Sequence, residues 1–292
     1  MRQDRWSMLF VASALIIFVA SGWAWWHYVR SNPERTFYAA INNSLRTQGM
    51  VRQVTQDGEG QKLEQKVRLN QTAQHVAVGQ TAINQTGAVM ANINTETIGT
   101  PTADYIHYTD IKTSQKSADG KDLDFSKLIN VWGKSEETGQ TTGELYNESV
   151  LGVVPFGNLD AHKRTALMDM IVSKKVYQIS DDDVVREIRN GRPVYTYTVT
   201  VAPEPYVAML KDFAKVAGLN QLDQLNPADY KNTPPLAFKL TVDVWSQNFT
   251  DVTYDQNPRS EKYGSFGVSK TIDYPKNTIP SSELQSQLQA VQ

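Results

Sequence analysis

The sequence predicts an α+β protein in which an N-terminal transmembrane helix precedes a curved antiparallel sheet that is covered by inserted helices. Three observations predict this architecture. Residues 8–29 form an uncharged apolar segment, alternating apolar and polar residues mark strands between residues 50 and 272, and segments with helical spacing interrupt those strands. Antiparallel strands of this kind keep one apolar face, and helices bury it.

The apolar segment 8–29 contains no Asp, Glu, Lys or Arg. A helix of this length, at about 1.5 Å per residue, spans the roughly 30 Å hydrocarbon core of a bilayer. The segment is longer than the apolar core of a cleaved signal peptide, and the tryptophans at its end are typical of a membrane interface. We therefore expect a retained signal anchor. Its predicted membrane-contacting residues are Trp6, Leu15, Ile16, Phe18, Trp23, Trp25 and Trp26.

The rest of the chain is predicted to be one domain, residues 30–292, since no repeat of fixed period and no Pro/Gly/Ser-rich linker divides it. Arg2, Arg5 and the amino terminus on one side of the anchor face Arg30 and Arg35 on the other, and this nearly even count leans toward a short cytoplasmic tail at residues 1–7. We therefore expect a single-pass protein of the cell membrane whose C-terminal domain is extracytoplasmic, with the bilayer as its partner. The short linker after the anchor keeps the domain close to the bilayer surface.

Composition excludes several classes of function. Lys+Arg 29 against Asp+Glu 31 gives a net charge of -2, which offers no basic surface for nucleic acid. The chain has no cysteine, which excludes disulfides, thiolate zinc sites, a cysteine nucleophile and a lipidated cysteine. Packing and hydrogen bonds must therefore stabilise the domain.

The first element after the anchor is a predicted helix from Pro33 to about Thr47. Asn32 supplies a capping side chain, Pro33 suits the first helical position, and Gly49 is expected to end the helix in the left-handed conformation. Its apolar face is Phe37, Ala40, Ile41 and Leu45.

Period-two alternation then predicts a meander of antiparallel strands over residues 50–111. The alternation is clearest over residues 62–69, after a turn at residues 57–60, and further strands are expected near residues 75–78, 88–93 and 105–111. Two helical segments follow, one over residues 124–133 and one from Asp160 through Ile171, separated by an apolar loop at residues 151–157. We interpret this pair as an insert that covers the sheet.

A second group of strands follows the insert. Residues 184–188 and 193–201 flank Asn190-Gly191, a strong signal for a two-residue hairpin turn. A helix from Pro203 to Gly218 comes next, with an apolar stripe of Tyr206, Leu210, Phe213 and Ala217. Strands at residues 236–245, 249–254 and 263–272 and a tail helix at residues 282–291 complete the chain.

No catalytic, metal or cofactor motif is present, so the chain is not expected to be an enzyme. The histidines are scattered, His75 and His107 match no known motif, and the acidic run at residues 181–183 lacks the order of a calcium loop. The Gly-rich spacing of a phosphate loop is missing as well. We expect no metal and no cofactor.

One face of the sheet and its covering helix do gather apolar side chains. This concave face is the candidate ligand site, and the alternative interpretation is an ordinary core. The candidate ligand-binding residues are Tyr195, Tyr197, Phe213, Phe238, Leu240 and Val242.

The order of elements, an N-terminal helix, a long meander and helices inserted on the concave side, resembles the half-barrel of the LolA/LppX/LprG type. Segments 125–134, 151–158 and 194–199 are also similar to bacterial single-pass membrane proteins that have no assigned activity. The resemblance implies a domain that carries lipids or lipoproteins at the bacterial envelope. This sequence departs from the lipoprotein members because it has no cysteine to lipidate, and a helix replaces the lipid as anchor.

Two hypotheses follow. In the first, the concave face binds a lipid or another hydrophobic ligand, which requires an apolar cavity between sheet and helices. In the second, the face is a filled core and the protein is a non-catalytic interaction or structural module of the cell surface, which an exposed apolar patch would favour.

Overall fold

The computed structural model describes residues 17–19, 21, 32–72, 74–136, 143–255 and 258–291. Most of the predicted anchor therefore lies outside the described residues, including Trp6, Leu15, Ile16, Trp23, Trp25 and Trp26. Residues 17–19 and 21 are helical, and Phe18 is exposed. In the part of the chain that is described, no helix is both long enough and apolar enough to cross a membrane.

The described residues form five helices of the main fold and thirteen strands. The helices are α1 (Pro33–Ser44), α2 (Glu144–Val150), α3 (Ala161–Ser173), α4 (Pro203–Ala217) and α5 (Ser281–Val291). The strands are β1 (Gly49–Gly58), β2 (Gln61–Asn70), β3 (Val76–Gln85), β4 (Ala91–Gly99), β5 (Ala103–Thr113), β6 (Gly133–Glu136), β7 (Tyr177–Gln178), β8 (Val185–Arg189), β9 (Arg192–Val201), β10 (Leu236–Asp243), β11 (Asn248–Thr253), β12 (Arg259–Gly264) and β13 (Ile279–Pro280).

All these strands belong to one sheet, in the order β13-β6-β5-β4-β3-β2-β1-β12-β11-β10-β9-β7, with β8 paired to β9. Pairing is antiparallel except between β13 and β6. The predicted α+β architecture, a large curved antiparallel sheet with helices across one face, is therefore confirmed. We call the face that carries the buried side chains the inner face; it corresponds to the predicted concave face.

Helix α1 begins as the sequence predicts. The side chain of Asn32 accepts a hydrogen bond from the Arg35 backbone N–H, and Pro33 occupies the first turn. The predicted apolar face is fully buried and packs on the inner face at β10 and β11. The predicted role of Gly49 is wrong, because Leu45 ends the helix in the right-handed conformation and Gly49 begins β1.

The meander and the hairpin are also confirmed. β1 to β5 pair in sequence order, and the Asn190-Gly191 turn between β8 and β9 has φ of 51° and 75°, as a turn of this type requires. Helix α4 ends at Gly218 with φ 75°. Its buried residues include Val207 and Met209. Ala217, which the sequence places on the apolar stripe, is exposed.

The predicted helix over residues 124–133 is wrong, because this stretch forms a turn. The Asp124 carboxylate accepts a hydrogen bond from the Ser126 backbone N–H, Asn130 has a left-handed φ of 63°, and Gly133 begins β6. The apolar residues are buried nonetheless. Phe125 and Leu128 form a small second core with Leu284 of α5, separate from the main core.

Candidate functional site

The six predicted ligand-binding residues lie together on the inner face and its covering helix, as expected. Tyr195 is 7% exposed and the other five are 0% exposed. The Phe37 ring of α1 packs edge-on against Tyr197 at 5.3 Å, and the Tyr197 hydroxyl donates a hydrogen bond of 2.8 Å to the Pro33 carbonyl. Helices α1 and α4 thus occupy the space where the sequence predicts a ligand, and these six residues line none of the pockets described below.

The inner face continues beyond these helices onto the far ends of β2 to β5. There the strand register aligns one apolar residue from each strand in a continuous row. We call it the isoleucine row: Leu63, Ile83, Ile93 and Ile111. All four residues are only partly buried, so an apolar strip of the sheet remains accessible.

A pocket of about 390 Å³ lies against this strip, and we call it the apolar pocket. Its floor is Ile83, Ile93 and Ile111, and Leu288 of α5 forms part of its wall. The exposed Val89 of the β3–β4 turn also lines the pocket. The remaining lining residues are Gln85, Ala91, Thr95, Ile106, Tyr108, Lys112, Thr113 and Gln115.

The wall of the apolar pocket is held by the small second core. Ile106 and Tyr108 of β5 and Leu288 pack against the cluster of Phe125, Leu128 and Leu284. The turn at residues 124–131 and α5 therefore position the apolar pocket although neither belongs to the main core.

A polar groove of about 560 Å³ adjoins the apolar pocket and shares Thr95 with it. Gln, Thr and Asn residues dominate its lining, with Lys66, Glu64 and Glu96. Polar uncharged side chains of this kind hydrogen-bond water as readily as a ligand, so this groove by itself points to no ligand class.

A third concavity, of about 440 Å³, contains four charged residues from three elements, and we call it the charged pocket. The Arg52 guanidinium lies 3.1 Å from a Glu148 carboxylate oxygen and 3.8 Å from Glu261. Arg259 contacts the same two carboxylates, at 3.2 and 2.9 Å. Since two cations and two carboxylates neutralise one another, these groups tie α2 to β1 and β12.

Tyrosines surround the charged pocket. Burial raises the pKa of Tyr263 and of Tyr254 well above the usual range, and the nearby Glu261 carboxylate adds to each rise. The phenols therefore stay protonated, and the Tyr263 O–H donates a hydrogen bond of 2.5 Å to Glu261. The charged groups pair with one another and the phenols stay protonated, which favours a structural role for the pocket.

The environment of the Asp104 carboxyl group is unfavourable for charge. This group caps the start of α2, accepting a hydrogen bond of 2.8 Å from the Glu144 backbone N–H, while its other oxygen is buried without a partner. Burial raises the pKa of Asp104 to about 6, and the backbone donors at Glu144 and Leu145 only partly offset this. The carboxylate thus costs stability at neutral pH.

We expect Asp104→Asn to remove a specific pH dependence of stability. Because the pKa in the folded state lies above the unfolded value of 3.8, the native chain loses stability as the pH rises from about 4 through 6. Over this pH range the free energy of unfolding of the native chain should fall by roughly 2 to 3 kcal/mol more than that of the variant. Denaturant unfolding at pH 4, 5, 6 and 7 checks this, and parallel pH profiles for the two proteins would contradict it.

The histidines are apart from one another. His75 Nδ1 lies 3.3 Å from the Tyr146 hydroxyl. The His107 ring lies 3.9 Å from the Trp132 ring at an interplanar angle of 34°, and its Nε2 lies 3.2 Å from a Glu96 carboxylate oxygen. Over the described ranges, no three His, Cys, Asp or Glu side chains are arranged to hold a metal ion. The absence of a metal, of a cofactor and of enzymatic activity stays a prediction.

The sequence analysis does not predict the isoleucine row, because each strand contributes one apolar residue to it from a largely polar stretch. A signal was nevertheless present. If β2 to β5 are aligned as a meander, Ile83, Ile93 and Ile111 fall into register without any covering helix near them in sequence.

One solved structure similar to this chain is that of LprF from Mycobacterium bovis, with 11% sequence identity and a TM-score of 0.38. The match covers 84% of this chain and 98% of that chain. No protein-family model and no curated protein matches the chain. At this TM-score the likeness carries no argument about function, and the finer assignment to the LolA/LppX/LprG type stays a prediction.

Proposed function

We propose that this chain binds a single-chain amphiphile, such as a fatty acid or lysolipid, with the apolar tail in the apolar pocket. One observation carries the proposal: the isoleucine row is a part of the inner face that the described helices leave only partly buried. Covering it with a hydrocarbon chain removes apolar surface from water, at about 25 cal/mol per Å². A volume of about 390 Å³ is in the range of small-ligand pockets and suits one chain better than several.

The rim of the apolar pocket supports an amphiphile over a purely apolar ligand. Gln85, Thr113, Gln115 and Lys112 line the same pocket as the isoleucines, so a polar head could hydrogen-bond there while the tail is buried. The Lys112 ammonium is exposed and pairs with the Asp110 carboxylate at 2.8 Å. Both residues alternate with Ile111 along β5, so the head group is expected to hydrogen-bond to Gln85, Thr113 or Gln115 rather than to Lys112.

In this proposal the uncharged segment 8–29 anchors the domain outside the cytoplasm, at the surface from which an amphiphile would come. The amphiphile would be taken from, or sensed in, the adjacent leaflet. The support for this part is the sequence alone.

A second candidate function is a non-catalytic interaction module. The filled core at the six predicted residues favours it, and so does β8, an outer strand on which Val185 and Ile188 are 56% and 76% exposed. Under this alternative the apolar pocket stays empty and β8 is the functional surface.

Binding of cis-parinaric acid, a fluorescent fatty acid, to the full chain tests the proposal. We expect saturable binding by the native chain and a loss of at least about tenfold in affinity for Ile93→Glu, because the charge would be desolvated by the tail. The matched control is Ile188→Glu on β8, which should bind as the native chain does. The proposal fails if the native chain does not bind, or if both variants bind equally well.

A further inference from the structure

Helix α5 has one buried residue, the fewest among the five described helices of the fold. Its apolar stripe is Leu284, Leu288 and Val291, of which only Leu284, at 2% exposed, is buried. Leu284 belongs to the small second core rather than to the main core. An isolated helix of this length is marginal in water, so α5 depends on these few contacts.

Polar contacts add little. The side-chain hydrogen bonds of α5 in the described chain stay within the helix, from Ser286 to the Ser282 carbonyl and from Gln287 to Glu283. The connection to the sheet is β13, whose Ile279 backbone N–H donates a hydrogen bond of 2.9 Å to the Trp132 carbonyl. The pairing of β13 with β6 comprises only Ile279 and Pro280.

Because Leu288 also forms part of the wall of the apolar pocket, the position of α5 determines how far that pocket is enclosed on this side. We infer that α5 is a displaceable wall that opens to admit the amphiphile and docks against its tail. This inference rests on the proposed function. Docking of α5 and occupancy of the pocket then stabilise each other. A bound tail replaces water beside Leu288, and the docked helix buries the tail.

The sheet provides a way to undock α5 without touching the pocket floor. A Cβ added at Gly133 of β6 would lie 2.9 Å from Leu284 Cδ2 and 3.3 Å from the Ser281 Cα, so Gly133→Ala pushes directly on the base of α5. The matched control is Gly264→Ala in β12, where an added Cβ meets no atom within 4 Å. Leu288→Ala is a second variant that shortens the wall while Leu284 still holds the helix.

The test combines amide hydrogen exchange with cis-parinaric acid binding on the full chain. In the free native protein we expect α5 to exchange by local opening, faster than β1 and β2, and saturation with the probe should slow exchange in residues 281–291. Gly133→Ala should raise the exchange rate in α5 and weaken probe binding by about tenfold. Leu288→Ala should weaken probe binding to a similar degree. Gly264→Ala should change neither the exchange rate in α5 nor the affinity for the probe.

The outcomes separate the two claims. If the native chain binds the probe but exchange in α5 does not respond, and Gly133→Ala and Leu288→Ala bind normally, α5 is not a moving wall and the proposed function stands. If the native chain does not bind the probe at all, both the proposed function and the coupling are overturned. Slow exchange of α5 in the free protein, equal to that of the central strands, would also overturn the inference.

Discussion

Replacing Arg52 by Ala is expected to lower the free energy of unfolding by about 3–5 kcal/mol, one of the two largest effects of a single substitution foreseen for this fold. The Arg52 side chain is 2% exposed and Glu261 beside it is 4% exposed. The substitution leaves the Glu261 carboxylate buried with only the partly exposed Arg259 as a cation partner, and it releases Glu148 of α2 from β1. Urea unfolding of both proteins at neutral pH measures the loss.

Arg189→Ala is the control for this prediction. The Arg189 side chain is 44% exposed and pairs with Glu187 and Asp251 at the surface, so its removal should cost less than about 1 kcal/mol. Similar losses for Arg52 and Arg189 would contradict the account of the charged pocket as the group of contacts that fastens α2 to the sheet.

Phe238→Ala should be comparably damaging to stability and harmless to ligand binding. Phe238 is 0% exposed between the sheet and its helices, and truncating such a ring leaves a cavity that costs about 3–5 kcal/mol. Since Phe238 does not line the apolar pocket, affinity for cis-parinaric acid should stay within about twofold of the native value when measured well below the melting temperature.

A loss of binding without a loss of stability would instead place the ligand at the six residues that the sequence predicts. If Phe238→Ala, or the milder Tyr197→Phe, abolished probe binding while leaving the unfolding midpoint nearly unchanged, the ligand would lie between the sheet and the helices. In that case the helices would have to move apart, because Tyr197 is hydrogen-bonded to Pro33 in the filled core.

Local rules predicted many of the main elements. Asn32 and Pro33 mark the start of α1, Asp160 caps α3 by accepting a hydrogen bond from Lys163, and Asn190-Gly191 places the β8–β9 turn. In each case a side chain or a required φ value acts within a few residues, so the sequence alone contains the cause.

Elements that depend on distant contacts were predicted poorly. Helix α2 is only Glu144–Val150 and has no strong sequence signal, but Leu145 fits against Gly79 and Gly99 of the sheet, where a Cβ would come within 3.1 and 2.8 Å of it. The turn at residues 124–131 has the spacing of a helix, yet its Phe125 and Leu128 are fixed by Leu284 from the other end of the chain.

The difference between local and distant contacts also explains which parts of the candidate site the sequence predicts. Period-two alternation tells which side of β9 and β10 is apolar, and the structure places Tyr195, Tyr197, Phe238, Leu240 and Val242 on that side. Periodicity cannot tell whether helices fill the space above that side. The partly buried residues Ile83, Ile93 and Ile111 come together through the register of three strands.

The most direct test of the proposed site is photocrosslinking of the full chain with palmitic acid that carries a diazirine on its tail, followed by peptide mass spectrometry. Binding in the apolar pocket predicts competable labelling on β3, β4, β5 and α5, around Ile83, Ile93, Ile111 and Leu288, and its loss in Ile93→Glu. Labelling on β9 and β10 around Tyr197 and Phe238, or labelling that unlabelled palmitate does not compete away, would contradict it.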